Sequence, residues 1–275
     1  MAGDSQWQAQ VWQRYIMAIQ GRAPFNIHFN GGDMHTPRPP DIANPPPRAD
    51  PENIDNYGLW AGSHCWWNNC RQSYYQMHMQ GDFDLLEAMF DMHARSMPNR
   101  RALTSHYYNI SGVYWGEYTD VFGADQNVGY IASDTLGLNC NKTKRNATWP
   151  YWYFPERWNH YNLQGSLDIA QMIINYYTFT GNDKYMYIAW EVLAFFRQWR
   201  TERDVAGKMV LFPTQAQEFC QCNVYPPTKQ ACIQNDMPTV SGLHAVVDLM
   251  LASGWPAKVD KNLELKAFKQ ILPGR

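Results

Sequence analysis

Residues 73–90 read SYYQMHMQGDFDLLEAMF, and residues 173–190 read IINYYTFTGNDKYMYIAW. Laid over each other, the two stretches align Gly81 with Gly181. Each glycine follows a run of apolar residues at helical spacing, and a polar residue then opens a second such run. A glycine after one helix and a polar N-cap before the next are the usual ends of adjoining helices. The chain is therefore predicted to repeat a helical hairpin.

Further helices are predicted by apolar residues that recur about every fourth position. A helix over residues 5–20 has the stripe Trp7, Val11, Tyr15 and Ile19. The first hairpin is predicted over 64–80 and 83–97, with Asp82 and Asp84 as capping residues. The helices of the second hairpin have the stripes Leu163, Leu167, Ala170, Ile174, Tyr177 and Tyr185, Ile188, Val192, Phe196, Trp199. A third pair is predicted over 238–253 and 259–271.

Long segments separate these helices, notably residues 21–62, where Pro, Asn and Gly cluster, and residues 107–162. Strand signals are confined to short pieces such as residues 208–212. Repeated hairpins with long loops on one side favour an all-α fold, an α/α toroid forming one domain over residues 1–275. Because a complete toroid of this kind needs roughly twelve helices, we expect it to be incomplete here. An open helical solenoid is the alternative.

The composition favours a neutral ligand. The net charge is −2 and charged residues make up 17% of the chain, so a nucleic-acid footprint is absent. No apolar run reaches the roughly 20 residues of a membrane span. Aromatic residues make up 15% of the chain, more than a core needs, and surplus rings often stack on ligands such as sugars. Motifs of kinases, serine hydrolases, zinc proteases and nicotinamide enzymes are missing, so we expect no cofactor.

Cysteines and glycosylation sequons indicate the cell compartment. The six cysteines are Cys65, Cys70, Cys140, Cys220, Cys222 and Cys232, and the sequons begin at Asn109, Asn141 and Asn146. Together they favour a secretory or extracellular location, although the N-terminal residues lack the apolar core of a signal peptide. Chance sequons and buried thiols in a cytosolic protein are the alternative. No second Cys or His pair completes a zinc site, so we expect no metal.

Two glutamates lie among aromatic residues. Hydrolysis of a glycosidic bond needs two carboxyl groups, one to protonate the leaving oxygen and one to activate water or attack. Glu117 lies in SGVYWGEYTDVFG and Glu218 in LFPTQAQEFCQCN, and Asp120 is a lesser candidate. An ordinary capping or surface acid is the alternative for each.

Amides, rings and cations beside them are candidates for binding substrate. Asn68 and Asn69 offer donor and acceptor on a short arm, and Arg71 can bind a hydroxyl or a carboxylate. The alternative for the two asparagines is the polarity that is usual at a helix N-terminus. The alternative for Arg71 is an ion pair with a buried acid. Further candidates are Trp60, Trp66, Trp67, Asn30 and His160. For the tryptophans the alternative is the core, and at least one of the three is expected to pack inward.

Several of these stretches, taken in order, resemble the six-hairpin (α/α)6 glycosidases, especially a glycoside-hydrolase-like group related to inverting α-L-fucosidases. The matching stretches are QRYIMAIQGRAPFNIHFNGG, WWNNCRQSYYQMHMQGDFDLLEAMF, GVYWGEYTDVFG, LDIAQMIINYYTFTGNDKYM and LFPTQAQEF. The resemblance implies that Glu218 is the general acid and that Asn69 positions the hydrolytic water. It implies a catalytic or substrate-binding role for Glu117. The Asp that is the base in those relatives has no clear match here.

The sequence thus predicts hydrolysis of O-glycosidic bonds in a neutral oligosaccharide or polysaccharide, by inversion. One alternative is a polysaccharide lyase on an α/α toroid, with Tyr and His as base and acid and with Asn69 and Arg71 neutralising a uronate. Another is a carbohydrate-binding protein without catalysis.

Overall fold

The computed structural model describes residues 2–22, 65–116, 118–119, 122–123, 163–199, 205–209, 236–255 and 259–272. Within these ranges the regular structure is helical apart from one pair of two-residue strands, so the all-α prediction is confirmed. The elements are α1 Ala2–Gly21, β1 Cys65–Trp66, α2 Trp67–Gln80, α3 Phe83–Tyr108, β2 Tyr118–Thr119, α4 Gln164–Thr180, α5 Met186–Gln198, α6 Asp236–Ser253 and α7 Val259–Ile271. The toroid and the open solenoid both stay predictions.

The chain divides into two compact units. The first comprises residues 1–99 and 118–124, and the second comprises residues 100–117 and 125–275. The boundary between residues 99 and 100 falls within α3, one residue beyond Pro98. A single domain over the whole chain stays a prediction.

The first hairpin, α2 and α3, has the predicted glycine between its helices. Gly81 has a φ of 77°, in the left-handed region that favours glycine. Its N–H donates to His78 O at 3.2 Å, and the N–H of Asp82 donates to Met77 O at 2.9 Å. These two bonds form a Schellman motif, which satisfies the last carbonyls of α2. The predicted hairpin and the position of its turn are therefore confirmed.

The ends of this hairpin differ from the prediction. The segment begins with the two-residue strand β1, so α2 starts at Trp67 and not at residue 64. Helix α3 continues through Pro98 to Tyr108, beyond the predicted end at residue 97. Beyond the proline, Arg100 and Thr104 are buried, and this burial holds the extra turns although Pro98 has no N–H to donate.

Asp82 lies directly before α3, at the predicted N-cap position, but its side chain does not cap the helix. Its backbone carbonyl accepts a hydrogen bond from the N–H of Leu85 at 3.1 Å, as an N-cap carbonyl does. Its carboxylate is buried and forms an ion pair with Arg14 of α1. The prediction that this side chain caps α3 is therefore wrong, because Arg14 takes one carboxylate oxygen while the other has no hydrogen-bond partner among the described residues. The ion pair ties α1 to the turn between α2 and α3.

Helix α1 confirms the prediction of a helix near residues 5–20, but its aromatic stripe is exposed. Met17 is buried, and Gly21 lies close to α3, where a Cβ would lie 3.1 Å from Leu85 O. The four predicted stripe residues, Trp7, Val11, Tyr15 and Ile19, are 66%, 45%, 57% and 49% exposed. The close approach at Gly21 thus sets which face of α1 is covered.

The second unit contains the second and third hairpins, both at the predicted places. Gly181 has a φ of 73°, and its N–H donates to Tyr177 O at 2.8 Å, which is the simpler left-handed helix end. Helix α4 packs against both α5 and α6, and α6 packs against α7. The predicted stripes form the core, with Leu167, Ile174, Ile188, Val192 and Phe196 all at most 1% exposed. Tyr177 is the exception and is half-buried.

Polar contacts hold the third hairpin in place. Arg197 of α5 forms an ion pair with Glu264 of α7, and Lys269 of α7 lies 2.5 Å from a carboxylate oxygen of Asp248 of α6. Burial lowers the pKa of the Arg197 guanidinium, and Glu264 opposes that shift. Met209 donates its N–H to Ile271 O at 2.6 Å, where the sequence predicted a short strand-like piece.

Candidate active site

The chain that leads to Glu117 is fixed in the second unit by residues 112–116. All five residues of this segment are buried. Val113 donates its N–H to Glu191 O at 3.1 Å, and Tyr114 O accepts from Arg100 Nε at 2.7 Å. A second guanidinium nitrogen of Arg100 bonds the same carbonyl. We call residues 112–116 the acid-bearing segment, because Glu117 is the next residue along the chain.

Ser166 holds the end of the acid-bearing segment. Its hydroxyl accepts from the N–H of Trp115 at 2.8 Å and donates to Trp115 O at 2.9 Å. A hydroxyl can do both because it has one donor and two acceptor positions. Both peptide groups of this buried tryptophan are thereby satisfied from the first turn of α4.

Replacing Arg100 by methionine is expected to lower the free energy of unfolding by about 2 kcal/mol, because the buried Tyr114 carbonyl loses its donor. Methionine retains most of the apolar stem, so the loss reports the hydrogen bonds. The matched control is Arg101→Met, which removes an exposed pair with Glu191 at 3.1 Å and should lose less than about 1 kcal/mol. Urea denaturation of the two variants checks this, and equal losses would show that Arg100 does not hold the segment.

In the first unit, an antiparallel strand pair brings together two stretches that the sequence singles out. Cys65 pairs with Thr119, and Trp66 pairs with Tyr118. Tyr118 directly follows Glu117 in the chain, and Trp66 directly precedes α2. The register therefore sets the start of the aromatic and amide stretch beside the residue after the predicted acid.

The chain beyond β2 is also held, by α3. Asn99 Nδ2 donates to Phe122 O at 2.9 Å. Gly123 has a φ of 81° and lies so close to α3 that a Cβ would come within 2.5 Å of Ser96 Cβ. Residues 118–119 are thus paired with β1, and residues 122–123 are held by α3, within the first unit.

Trp67 anchors the first turn of α2 in the core. Its side chain is 2% exposed, stacks on Tyr74 with ring centroids 6.2 Å apart, and meets His93 edge-on at 6.4 Å. His93 Nδ1 lies 2.8 Å from Met89 O, which makes Nδ1 the protonated nitrogen when the ring is neutral. The expectation that one of the three tryptophans packs inward is confirmed by Trp67. As a buried residue it does not offer its ring to a sugar in this structure.

The polar candidates near Trp67 follow it in the same helix. Asn68 and Asn69 lie in the first turn of α2, which has no acidic side chain. Arg71 is half-buried in the next turn. At the other end of α2, burial lowers the pKa of His78, so this imidazole is neutral at neutral pH. Asn68, Asn69 and Arg71 thus follow one another within the first five residues of α2.

The remaining predicted site residues lie outside the described residues. These are Glu117, Asp120, Glu218, Trp60, Asn30 and His160, together with the side chains of Trp66, Asn68 and Asn69. Arg100, Ser166 and Gly112 were not predicted from the sequence, although they fix the acid-bearing segment. A serine between Gly165 and Leu167 in the first turn of α4 is the one signal that could have pointed to Ser166.

Cys70 is buried in the core with its thiol outside any disulfide. Among the described residues, no three His, Cys, Asp or Glu side chains lie close enough together to hold a metal ion. No helix in the same residues is long and apolar enough to cross a bilayer. No protein-family model matches the sequence, and no curated protein is significantly similar to it.

Proposed function

We propose that this protein hydrolyses O-glycosidic bonds in a neutral oligosaccharide or polysaccharide with inversion at the anomeric carbon. Glu218 protonates the leaving oxygen, Asn69 positions the attacking water, and Glu117 is the second carboxyl group. The observation that carries the proposal is the pairing of Trp66 with Tyr118. It pairs the strand just before Asn68 and Asn69 with the strand that begins directly after Glu117.

Contacts of the described residues in these two stretches support the proposal. The Trp67 ring packs on Tyr74 and against His93. The acid-bearing segment is hydrogen-bonded to Arg100 and Ser166. Catalysis by positioned acids requires such support, because small displacements of a carboxyl group lower the rate strongly. Aromatic packing therefore holds the residue before Asn68, and hydrogen bonds hold the residues that lead to Glu117.

The proposed chemistry assigns one role to each group. Glu218 in its protonated form gives a proton to the glycosidic oxygen as the bond to the anomeric carbon breaks. A water molecule held by the Asn69 amide attacks the opposite face of the sugar ring and gives a proton to the Glu117 carboxylate, the second carboxyl group. An inverting pair of carboxyl groups stands roughly 6.5 to 9.5 Å apart to leave room for that water. Glu117 serves as the partner if its separation from Glu218 falls in this range.

The substrate is proposed to be neutral because the chain has a small net charge and a surplus of rings. A secretory or extracellular location is proposed from the three sequons. The sequon residue Asn109 supports this location, since it is exposed just after the end of α3 with a left-handed φ of 53°. An accessible turn of this kind is compatible with an attached glycan.

The anomeric configuration of the first product tests the proposed function. Proton NMR is recorded during hydrolysis of a panel of neutral glycosides, before the released sugar can mutarotate. We expect the first-formed anomer to be opposite to that of the substrate bond. A product of the same configuration would instead require a retaining pair of carboxyl groups roughly 5 Å apart, and the inverting assignment would be withdrawn.

A further inference from the structure

A groove of about 380 Å³ lies where α1 meets the C-terminal end of α2, within the first unit. The described residues that line it are Trp7, Gln10, Val11 and Arg14 of α1 and Gln80 of α2. We call it the Trp7 groove. It is separate from Asn69, because Gln80 is eleven residues beyond Asn69, which is about 17 Å along a helix with a rise of 1.5 Å per residue.

The ring of Trp7 is unusually available for a ligand. Trp7 is 66% exposed. Tryptophan is the largest residue and is usually mostly buried in a folded protein. Val11 extends the apolar wall one turn further and is 45% exposed. A flat apolar surface of this kind suits the C–H face of a sugar ring, and indole rings commonly hold ligands that have both apolar and polar sides.

Amide groups lie on both walls of the Trp7 groove. Gln10 is on the α1 side and Gln80 is on the α2 side. Each carboxamide offers two donors and an acceptor, which matches the mixed donor and acceptor character of sugar hydroxyls. A ring with amides on two sides distinguishes this groove from a purely apolar helix face.

The charge of the groove favours a neutral ligand. Arg14 is its one charged lining residue among those described, and its guanidinium already forms an ion pair with Asp82. Asp82 is only 4% exposed, so this pairing is partly shielded from solvent. An anionic ligand would have to compete with the carboxylate for Arg14, whereas a neutral glycan would not.

We propose that the Trp7 groove is a second carbohydrate site, which binds a sugar unit of a neutral oligosaccharide apart from the hydrolytic centre. Trp7 stacks on the sugar ring, and Gln10 and Gln80 bind its hydroxyls. This binding does not require Glu218. It therefore holds in a Glu218→Gln variant even if the proposed hydrolysis is incorrect.

The test measures binding of neutral hexasaccharides built from glucose, xylose, mannose, galactose or fucose to the full chain by titration calorimetry. We expect at least one to bind, and Trp7→Ala to weaken that binding by about tenfold or more. The matched control is Trp12→Ala. Trp12 is 59% exposed on the same helix but does not line the groove, so its loss should leave the affinity unchanged. Thermal unfolding should be similar in both variants, because both side chains are largely exposed.

Three results would overturn the second site. One is that none of the hexasaccharides binds the wild-type chain. Another is that Trp7→Ala and Trp12→Ala bind with equal affinity. The last is that sedimentation shows a dimer that Trp7→Ala converts to a monomer, since a second copy of the chain would then cover the groove.

Discussion

Replacing Gly112 by alanine is expected to lower the free energy of unfolding by about 4 kcal/mol, from the strain of its conformation and from overpacking. Gly112 has a φ of 94°, which residues with a Cβ rarely adopt. A Cβ there would lie 2.6 Å from Glu191 O and closer still to Phe195 N. Both obstacles are backbone atoms of α5, so no flexible side chain can move aside.

The matched control for this variant is Gly181→Ala. Gly181 also has a positive φ, of 73°, but nothing lies within 4 Å of a Cβ placed there. It should therefore lose only about 1 kcal/mol, the strain of the left-handed conformation alone. Urea denaturation followed by circular dichroism measures both losses, and the difference between them isolates the close approach to α5. Equal losses of unfolding free energy in the two variants would show that Gly112 does not lie as close to the α5 backbone as the structure places it.

The same variant should also affect the active site. Gly112 opens the acid-bearing segment, and its displacement would loosen the hydrogen bonds of Val113 to Glu191 and of Trp115 to Ser166. We expect Gly112→Ala to lose activity on glycosides as well as stability, even under conditions in which it remains folded. Gly181→Ala, at the far end of α4 from Ser166, should retain its activity.

The helical hairpins could be predicted because their signals are local. The signals are a glycine at the end of one apolar stripe and a polar residue at the start of the next. They lie within a few positions of each other in the sequence. Gly81 and Gly181 both adopt the left-handed conformation that this pattern requires. The two helix ends still differ in their hydrogen bonds, since the Schellman motif forms at Gly81 and the simpler motif at Gly181. The type of helix end depends on the residue after the glycine and its surroundings, which the repeat does not specify.

The contacts that hold the candidate site could not be predicted because they join distant positions. Arg100 and Tyr114 lie on different segments, as do Ser166 and Trp115, and nothing local indicates these partners. The same applies to the ion pair of Arg14 with Asp82. The sequence around Asp82 predicted that its carboxylate caps α3, whereas in the structure it pairs with Arg14 of α1.

Helix α1 shows a second kind of limit. Its period of four predicted a helix correctly, yet the apolar face that such a stripe normally buries is exposed among the described residues. The covered face is decided at Gly21, where the absence of a side chain lets α1 approach Leu85. This contact leaves Trp7 exposed and creates the Trp7 groove beside Gln80.

The role of Glu218 as general acid is tested by comparing Glu218→Gln with the wild-type chain on two substrates that share the same sugar. On a glycoside with a poor leaving group, such as an alkyl glycoside, we expect kcat to fall by roughly 10²- to 10⁴-fold, the usual contribution of a general acid. On the corresponding dinitrophenyl glycoside the loss should be small, because that leaving group needs no proton. Glu202→Gln, which changes a glutamate to which no role is assigned, is the control. Equal activity of Glu218→Gln and wild type on the alkyl glycoside would contradict the proposed hydrolytic mechanism.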